Sequence, residues 1–300
     1  MKGVCATDMI TGEFSIRKAL TAAVLLVAAV VTGAPARGAV TVERDVLFHT
    51  VAGEQLRLDI YRPEGETTAP LPVVLLIHGG GWAGGDKQVH NYIGLPLAEA
   101  GYLAISANYR LAPKHPWPAA VDDCRVALEW VRAHAARYGG DPSRIALMGE
   151  SAGGHLSALL GLLDAQTTPS ETDAEPPRVR AVVNVFGPAD LVRLWEIPVC
   201  QNLLKDWLGG DPVARADAFR AASPLMQIGA RGPAFLHIHG TADRLVPVEQ
   251  TKAFHEALEK AGLRSRTLIL EGAGHGWAPG SDHGKKSLDA ILEFLAETLK

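Results

Sequence analysis

The five residues Gly149-Glu150-Ser151-Ala152-Gly153 lie between an apolar run, Arg144 to Met148, and a stretch of helical periodicity, Ala152 to Leu163. A serine set between glycines at a strand-to-helix junction constrains the fold more tightly than anything else in the chain. The turn must be sharp enough to hold Ser151 in a strained backbone conformation that exposes its Oγ. Glycines at 149 and 153 remove side chains that would collide where strand and helix approach.

The rest of the chain repeats the same grammar. Val73 to Ile77 is a continuous apolar run suited to a central parallel strand buried on both faces, and it stops at His78 and three glycines. Tyr102 to Tyr109, Val179 to Phe186, Ala234 to His239 and Arg266 to Leu270 read as further strands. Ala119 to Tyr138 and Val248 to Ala261 read as helices, and a last one carries Leu288, Ile291, Leu292, Leu295 and Leu299 on one stripe. Strand and helix alternate, which predicts an α/β fold with a mostly parallel central sheet and helices on both faces. Val40 to Pro63 opens the sheet as an antiparallel hairpin, in which Leu56, Leu58 and Ile60 alternate with Arg57 and Asp59 as on a half-buried strand. Gln166 to Pro177 is a polar surface loop. Residues 191–233, rich in Leu and Trp, interrupt the alternation and read either as a small lid-like insertion or as ordinary helices covering the sheet end, two readings that are compatible.

Arg17 and Lys18 precede an apolar run from Ala19 to Val31 and then the small residues Gly33 and Ala34, the grammar of a cleaved leader over residues 1–38. A short uncleaved anchor is the competing reading, although a spanning helix needs about 20 apolar residues. Met9 offers a second start. Residues 39–300 then form one catalytic domain, secreted or periplasmic, with no membrane segment in the mature form. Cleavage removes four basic and two acidic residues and takes the formal charge from −4 to −6, which leaves no basic footprint for nucleic acid. Cys124 and Cys200 remain, and the three- and four-residue spacing of Val121, Cys124, Leu128 and Val131 places Cys124 on a buried helical stripe rather than in a disulfide.

A serine hydroxyl needs a base and an orienting carboxylate, and at this kind of junction the chain order is serine, acid, histidine. Ala234 to His239 leads into Gly240-Thr241-Ala242-Asp243, at the carboxyl edge of the sheet where active-site groups gather, so Asp243 is the expected acid. His275 follows the next strand on the glycine-rich loop Gly272 to Trp277 and is the expected base. Asp190 reads as a turn or cap residue, and Asp282 and His283 as capping or exposed ones. His237 and His239 share one strand face, but no carboxylate or Cys cluster joins them, so no metal is expected and burial with a hydrogen bond is the better reading. Directly after the strand Val73 to Ile77, the loop His78-Gly79-Gly80-Gly81-Trp82 can turn backbone amides toward a developing negative oxygen, together with the amide of Ala152. Neither a Walker lysine nor dinucleotide spacing accompanies these glycines, so no nucleotide cofactor is implied. Trp82 and Trp277 flank the two loops, and either wall a substrate pocket or pack against their own loops.

Taken together, HGGGW, YRLAPKHPWPAAVDDC from Tyr109 to Cys124, GESAGGHL, HGTADRLVP and GAGHGW make the chain resemble the α/β-hydrolase esterases of the hormone-sensitive-lipase type. Within that group it is most similar to the bacterial feruloyl-esterase-like or acetyl-esterase-like branch. The resemblance implies an α/β-hydrolase fold and oxyanion donors at Gly80, Gly81 and Ala152. It also implies a serine carboxylesterase acting through an acyl-enzyme on short-chain acyl or aromatic-acid esters of small molecules or carbohydrates. Glu150 departs from the Asp of many members, and the long N-terminal cap of much of the group is missing. Two other readings are an exported serine peptidase of the prolyl-oligopeptidase kind, which usually carries a large extra domain, and a non-catalytic binding module on the same fold.

Overall fold

The computed structural model describes residues 39–65, 67–167 and 178–300. The leader read over residues 1–38, and positions 168–177 of the loop read from Gln166 to Pro177, lie outside the described residues.

Eight strands form one sheet in the order β1-β2-β4-β3-β5-β6-β7-β8. They are β1 (Val40–Val51), β2 (Glu54–Pro63), β3 (Leu71–Ile77), β4 (Leu103–Ala107), β5 (Gly140–Glu150), β6 (Val179–Val185), β7 (Ala234–Gly240) and β8 (Ser265–Leu270). β1 pairs antiparallel with β2, and β2 with β4; every later pairing is parallel. This is the α/β-hydrolase fold, with the opening hairpin on the sheet's edge and β3 and β5 near its middle.

The two sides of β3 show how the helices are apportioned. Val73, Leu75 and Ile77 pack with Leu128 and Val131 of α2 (Ala119–His134), with Leu156 and Leu159 of α3 (Ala152–Gln166), and with Phe254 of α7 (Glu249–Lys260). Val74 and Leu76 face the opposite way, into Ile93 and Leu97 of α1 (Asn91–Glu99) and Ile291, Phe294 and Leu295 of α8 (Asp282–Leu299). Every residue of β3 is buried, as its unbroken apolar run requires.

Residues 191–233 fold into α4 (Leu191–Trp195), α5 (Pro198–Leu208) and α6 (Ala216–Ala222), followed by a 3₁₀ turn at Pro224–Gln227. Leu204, Trp207 and Phe219 join the main core from this segment. Its start is fastened by the Gln250 amide, whose oxygen accepts from the Ala189 and Asp190 amides and whose nitrogen donates to Asp190 O. Asp190 is the N-cap of α4, accepting from the amides of Val192 and Arg193. Cys124 and Cys200 are both buried free thiols. No helix among the described residues is long and apolar enough to cross a membrane.

β2 departs from the half-buried alternation read in its sequence, because Asp59 and Tyr61 are as inaccessible as Leu58 and Ile60. The buried carboxylate is tolerated because cations converge on it. Arg44 Nη1 donates to it at 2.9 Å, and Lys87 Nζ, itself only 2% exposed, lies 3.1 Å away. The Asp45 amide also donates to it. Those partners come from β1 and from the loop after β3, so a polar letter in β2 hides a position filled from two other elements. Asp59→Ala would leave Lys87 buried without its inner partner, and a loss of about 3–5 kcal/mol is expected. Urea unfolding checks it: the midpoint should fall sharply with the slope little changed.

Candidate active site

Ser151 sits between β5 and α3 with φ 53 and ψ −122, a left-handed conformation rare for a side chain that carries a Cβ. Its neighbours explain how the strain is held. A Cβ at Gly153 would lie 1.9 Å from Ile77 O, and one at Gly149 would lie 2.3 Å from the same oxygen, so both positions exclude any side chain. The Ser151 amide donates to Val185 O at 2.9 Å, and Ser151 O accepts from the His155 amide at 2.9 Å.

The three residues predicted to act together are brought together. His275 Nε2 lies 2.9 Å from Ser151 Oγ, and His275 Nδ1 lies 2.7 Å from Asp243 Oδ2. Because Nδ1 faces a carboxylate it carries the proton, which leaves Nε2 as an acceptor for the serine hydroxyl. Asp243 is fixed from its other side, where Oδ1 accepts from the amides of Leu245 and Val246, each at 2.9 Å. Burial acts to raise this carboxyl. Hydrogen bonds from His239, His275 and the Val246 amide outweigh it and hold the group well below the usual carboxylate range. The acid is therefore held in its ionised form. A hydroxyl, an imidazole and a carboxylate in this sequence of contacts can pass a proton from oxygen to nitrogen and hold the resulting imidazolium.

His239 is a neighbour that the sequence reading did not assign to this cluster. Its Nε2 donates to Val246 O at 2.8 Å and lies 3.3 Å from Asp243 Oδ2, while its Nδ1 meets Thr251 Oγ1 at 2.8 Å. It braces the loop that carries the acid. His237, two residues earlier, stacks parallel to Phe235 at 5.6 Å in the core. Asp282 opens α8 beside the N-cap Ser281, whose hydroxyl accepts from the Gly284 amide. His283 packs edge-on to Trp277.

Gly80, Gly81 and Ala152 line the same cavity as Ser151 and His275. Gly80 and Gly81 both have positive φ, and Gly80 O accepts from the Ala83 and Gly84 amides in a tight turn. Among the described residues no acceptor takes the amides of Gly80, Gly81 or Ala152. Ala152 is the first residue of α3, so its amide is also at the positive end of that helix. The loop is pinned from beneath by His78, whose ring stacks on Tyr109 at 4.2 Å and whose carbonyl accepts from the Tyr109 hydroxyl.

Trp82 both lines this cavity and packs: its ring stacks on Trp207 at 4.3 Å and its Nε1 donates to His155 Nδ1. His155 in turn donates from Nε2 to Ala222 O, which ties the glycine loop to α5 and α6 through a buried imidazole. Nothing in the sequence pattern marked His155 for that task. Trp277 lies apart from the serine, edge-on to Phe186 at 5.1 Å, in a second cavity.

The BD-FAE family model matches residues 58–258, two-thirds of the chain and all the elements from β2 through α7. The chain belongs to the BD-FAE family. It is an α/β-hydrolase of the hormone-sensitive-lipase type, and its relatives carry esterase names. Esterase LipC of Mycobacterium tuberculosis is 38% identical over 232 residues, covering 73% of this chain and 56% of that protein. The probable carboxylic ester hydrolase LipM of the same organism is 39% identical over 255 residues, covering 82% and 59%. The chain thus spans less than three-fifths of the length of these curated relatives. Among solved structures, a truncated carbohydrate esterase from gut microbiota superposes with a TM-score of 0.73 at 28% identity, covering 88% of this chain and 98% of that one. Esterase 2 of Thermogutta terrifontis superposes with a TM-score of 0.69 at 30% identity, covering 85% and 91%.

Three buried imidazoles, His78 under the glycine loop, His155 beside Trp82 and His237 in the core, limit the fold's stability at acid pH. Burial lowers His78 and His155 to about 4 and His237 to about 3, all from an ordinary value of 6.5. In the unfolded chain these side chains take up protons as pH falls below about 6.5, while in the folded protein they stay neutral until about 4. Stability is therefore level above pH 7 and declines as pH falls from 6.5 toward 4, with a slope approaching about 4 kcal/mol per pH unit if all three contribute. Urea midpoints measured from pH 7.5 to 4.5 should show this decline, and replacing His155 with Gln should make it shallower.

Proposed function

We propose that the protein is a serine carboxylesterase, with Ser151 as nucleophile, His275 as general base and Asp243 as its orienting acid. The observation that carries the reading is the unbroken relay of contacts, 2.9 Å from serine to imidazole and 2.7 Å from imidazole to carboxylate. Ser151 Oγ attacks the ester carbonyl as its proton passes to His275 Nε2, and the new oxyanion is held by the amides of Gly80, Gly81 and Ala152. His275 then protonates the departing alcohol. A water molecule, deprotonated by the same nitrogen, releases the acid and restores the serine.

The substrate class in this proposal is an ester of a short acyl chain or an aromatic acid with a small alcohol or a carbohydrate. Supporting it are an apolar chamber of about 370 Å³ around Ser151, walled by Trp82 and Leu203, and the likeness to a carbohydrate esterase. Trp82 is proposed as a substrate-facing wall, whereas Trp277 lines the neighbouring cavity and has no contact with the serine's chamber. The leader grammar of residues 17–38 supports export to the periplasm or the medium.

The test is hydrolysis of a panel of acetyl, butyryl, octanoyl and feruloyl esters. Ser151→Ala and Asp243→Asn should each lower kcat by about 10⁴-fold or more with KM much less affected. Full activity in Ser151→Ala would rule the proposal out.

A further inference from the structure

Two cavities adjoin the nucleophile, and they are unequal in access to it. The chamber of about 370 Å³ contains Ser151 and His275 in its wall. A second cavity, about 440 Å³, is walled by Met148, Glu150, Tyr92, Trp277 and Ile291, with neither Ser151 nor His275 exposed to it. Among the described residues only Gly80 and Phe186 line both. Gly80 has no side chain, so among the described residues the ring of Phe186 is the one side chain that faces both.

The backbone at that position is as unusual as the serine's. Phe186 has φ 41, in a region that bulky residues avoid. Its surroundings over-determine the conformation. The Phe186 amide donates to Ile238 O at 2.8 Å, and the wholly buried Asn184 accepts the Gly187 amide at 2.9 Å on Oδ1. The ring's centroid lies 4.7 Å from that of His275, which lines the smaller chamber, and 5.1 Å from that of Trp277, which lines the larger cavity. Strain retained at the edge of a site, with a large apolar space on its far side, points to selection among substrates rather than to packing alone.

We propose that Phe186 is a specificity-determining residue: its ring closes the larger apolar cavity off from Ser151 and confines the bound ester to the smaller chamber. The unaltered protein then favours short esters because longer ones meet this ring. Removing the ring joins the two spaces, and each methylene that enters the second cavity improves recognition by about fourfold. The inference rests on the esterase reading above and refines it.

The experiment compares kcat/KM for nitrophenyl acetate and nitrophenyl octanoate in the full chain and in Phe186→Ala and Phe186→Leu. The octanoate-to-acetate ratio should rise by about tenfold or more in the alanine variant and by a smaller factor in the leucine variant. A ring that only stabilises the loop or holds His275 would lower both esters together and leave the ratio unchanged, which overturns the proposal. If Phe186→Ala fails to fold, as judged by circular dichroism, the leucine variant decides: a raised ratio supports the partition and an unchanged one overturns it. Failure of the unaltered protein to cleave either ester would remove the esterase reading and this proposal with it. Cleavage by the unaltered protein with ratios unchanged in the variants would remove the partition alone.

Discussion

Backbone meets backbone at Gly153, where α3 approaches the end of β3 so closely that a single added carbon would sit 1.9 Å from Ile77 O. Two things are set by that approach. It leaves Ser151 no ordinary conformation in which to pass from strand to helix, so the hydroxyl is pushed out at the sheet's edge. It also fixes the distance between the serine and the chain that continues from Ile77 into Gly79, Gly80 and Gly81, because strand end and glycine loop are one continuous segment. The contact is reinforced at Gly79, where a Cβ would lie 2.9 Å from Glu150 O. Nucleophile and amides are thus positioned relative to each other by packed main chain, which moves less than side chains do.

The base and acid are supplied by the other half of the sheet, and their support is mostly imidazole and amide rather than salt bridge. Asp243 is held by two backbone amides and two histidines, which together satisfy its charge. α6 joins this frame through His155, which accepts from Trp82 and donates to Ala222 O, and α5 joins it through the stacking of Trp207 on Trp82. Neutral buried histidines suit such a site because they accept and donate at fixed angles with no net charge to desolvate. They also tie the integrity of the site to a pH range in which they remain unprotonated.

What was legible in the sequence follows from how local each constraint is. The strands, the serine turn and the loops carrying Asp243 and His275 could be read because period, glycine placement and chain order are short-range properties. Their bounds shifted by only a few residues, most at β5, which begins at Gly140 rather than Arg144. Asp59 was read as the polar side of β2 because its partners Lys87 and Arg44 come from other elements, and no spacing rule reveals a pairing of that kind. His239 was legible as buried and hydrogen-bonded but not as a brace for Asp243, since that role depends on where the loop returns after β7. Phe186 looked like the last letter of an apolar strand; only the folded chain shows that its ring, while buried in the core, also faces the two cavities beside His275 and Trp277. In the segment from 191 to 233, Trp207 and Phe219 are core residues while Leu194, Cys200 and Leu203 wall the serine's chamber, a division that composition alone does not reveal.

The central claim is that Ser151 forms a covalent bond with the acyl group and that His275 removes it with water. Rapid acid quenching of the protein mixed with an activated acetyl ester, followed by intact-mass and peptide mass spectrometry, tests this most directly. The account predicts one added acetyl group per chain, on the peptide that carries Ser151, appearing before steady state and persisting longer when Asp243 is replaced by Asn. Turnover of the ester with no acyl group ever found on that peptide, or with the acyl group on a different residue, would contradict it.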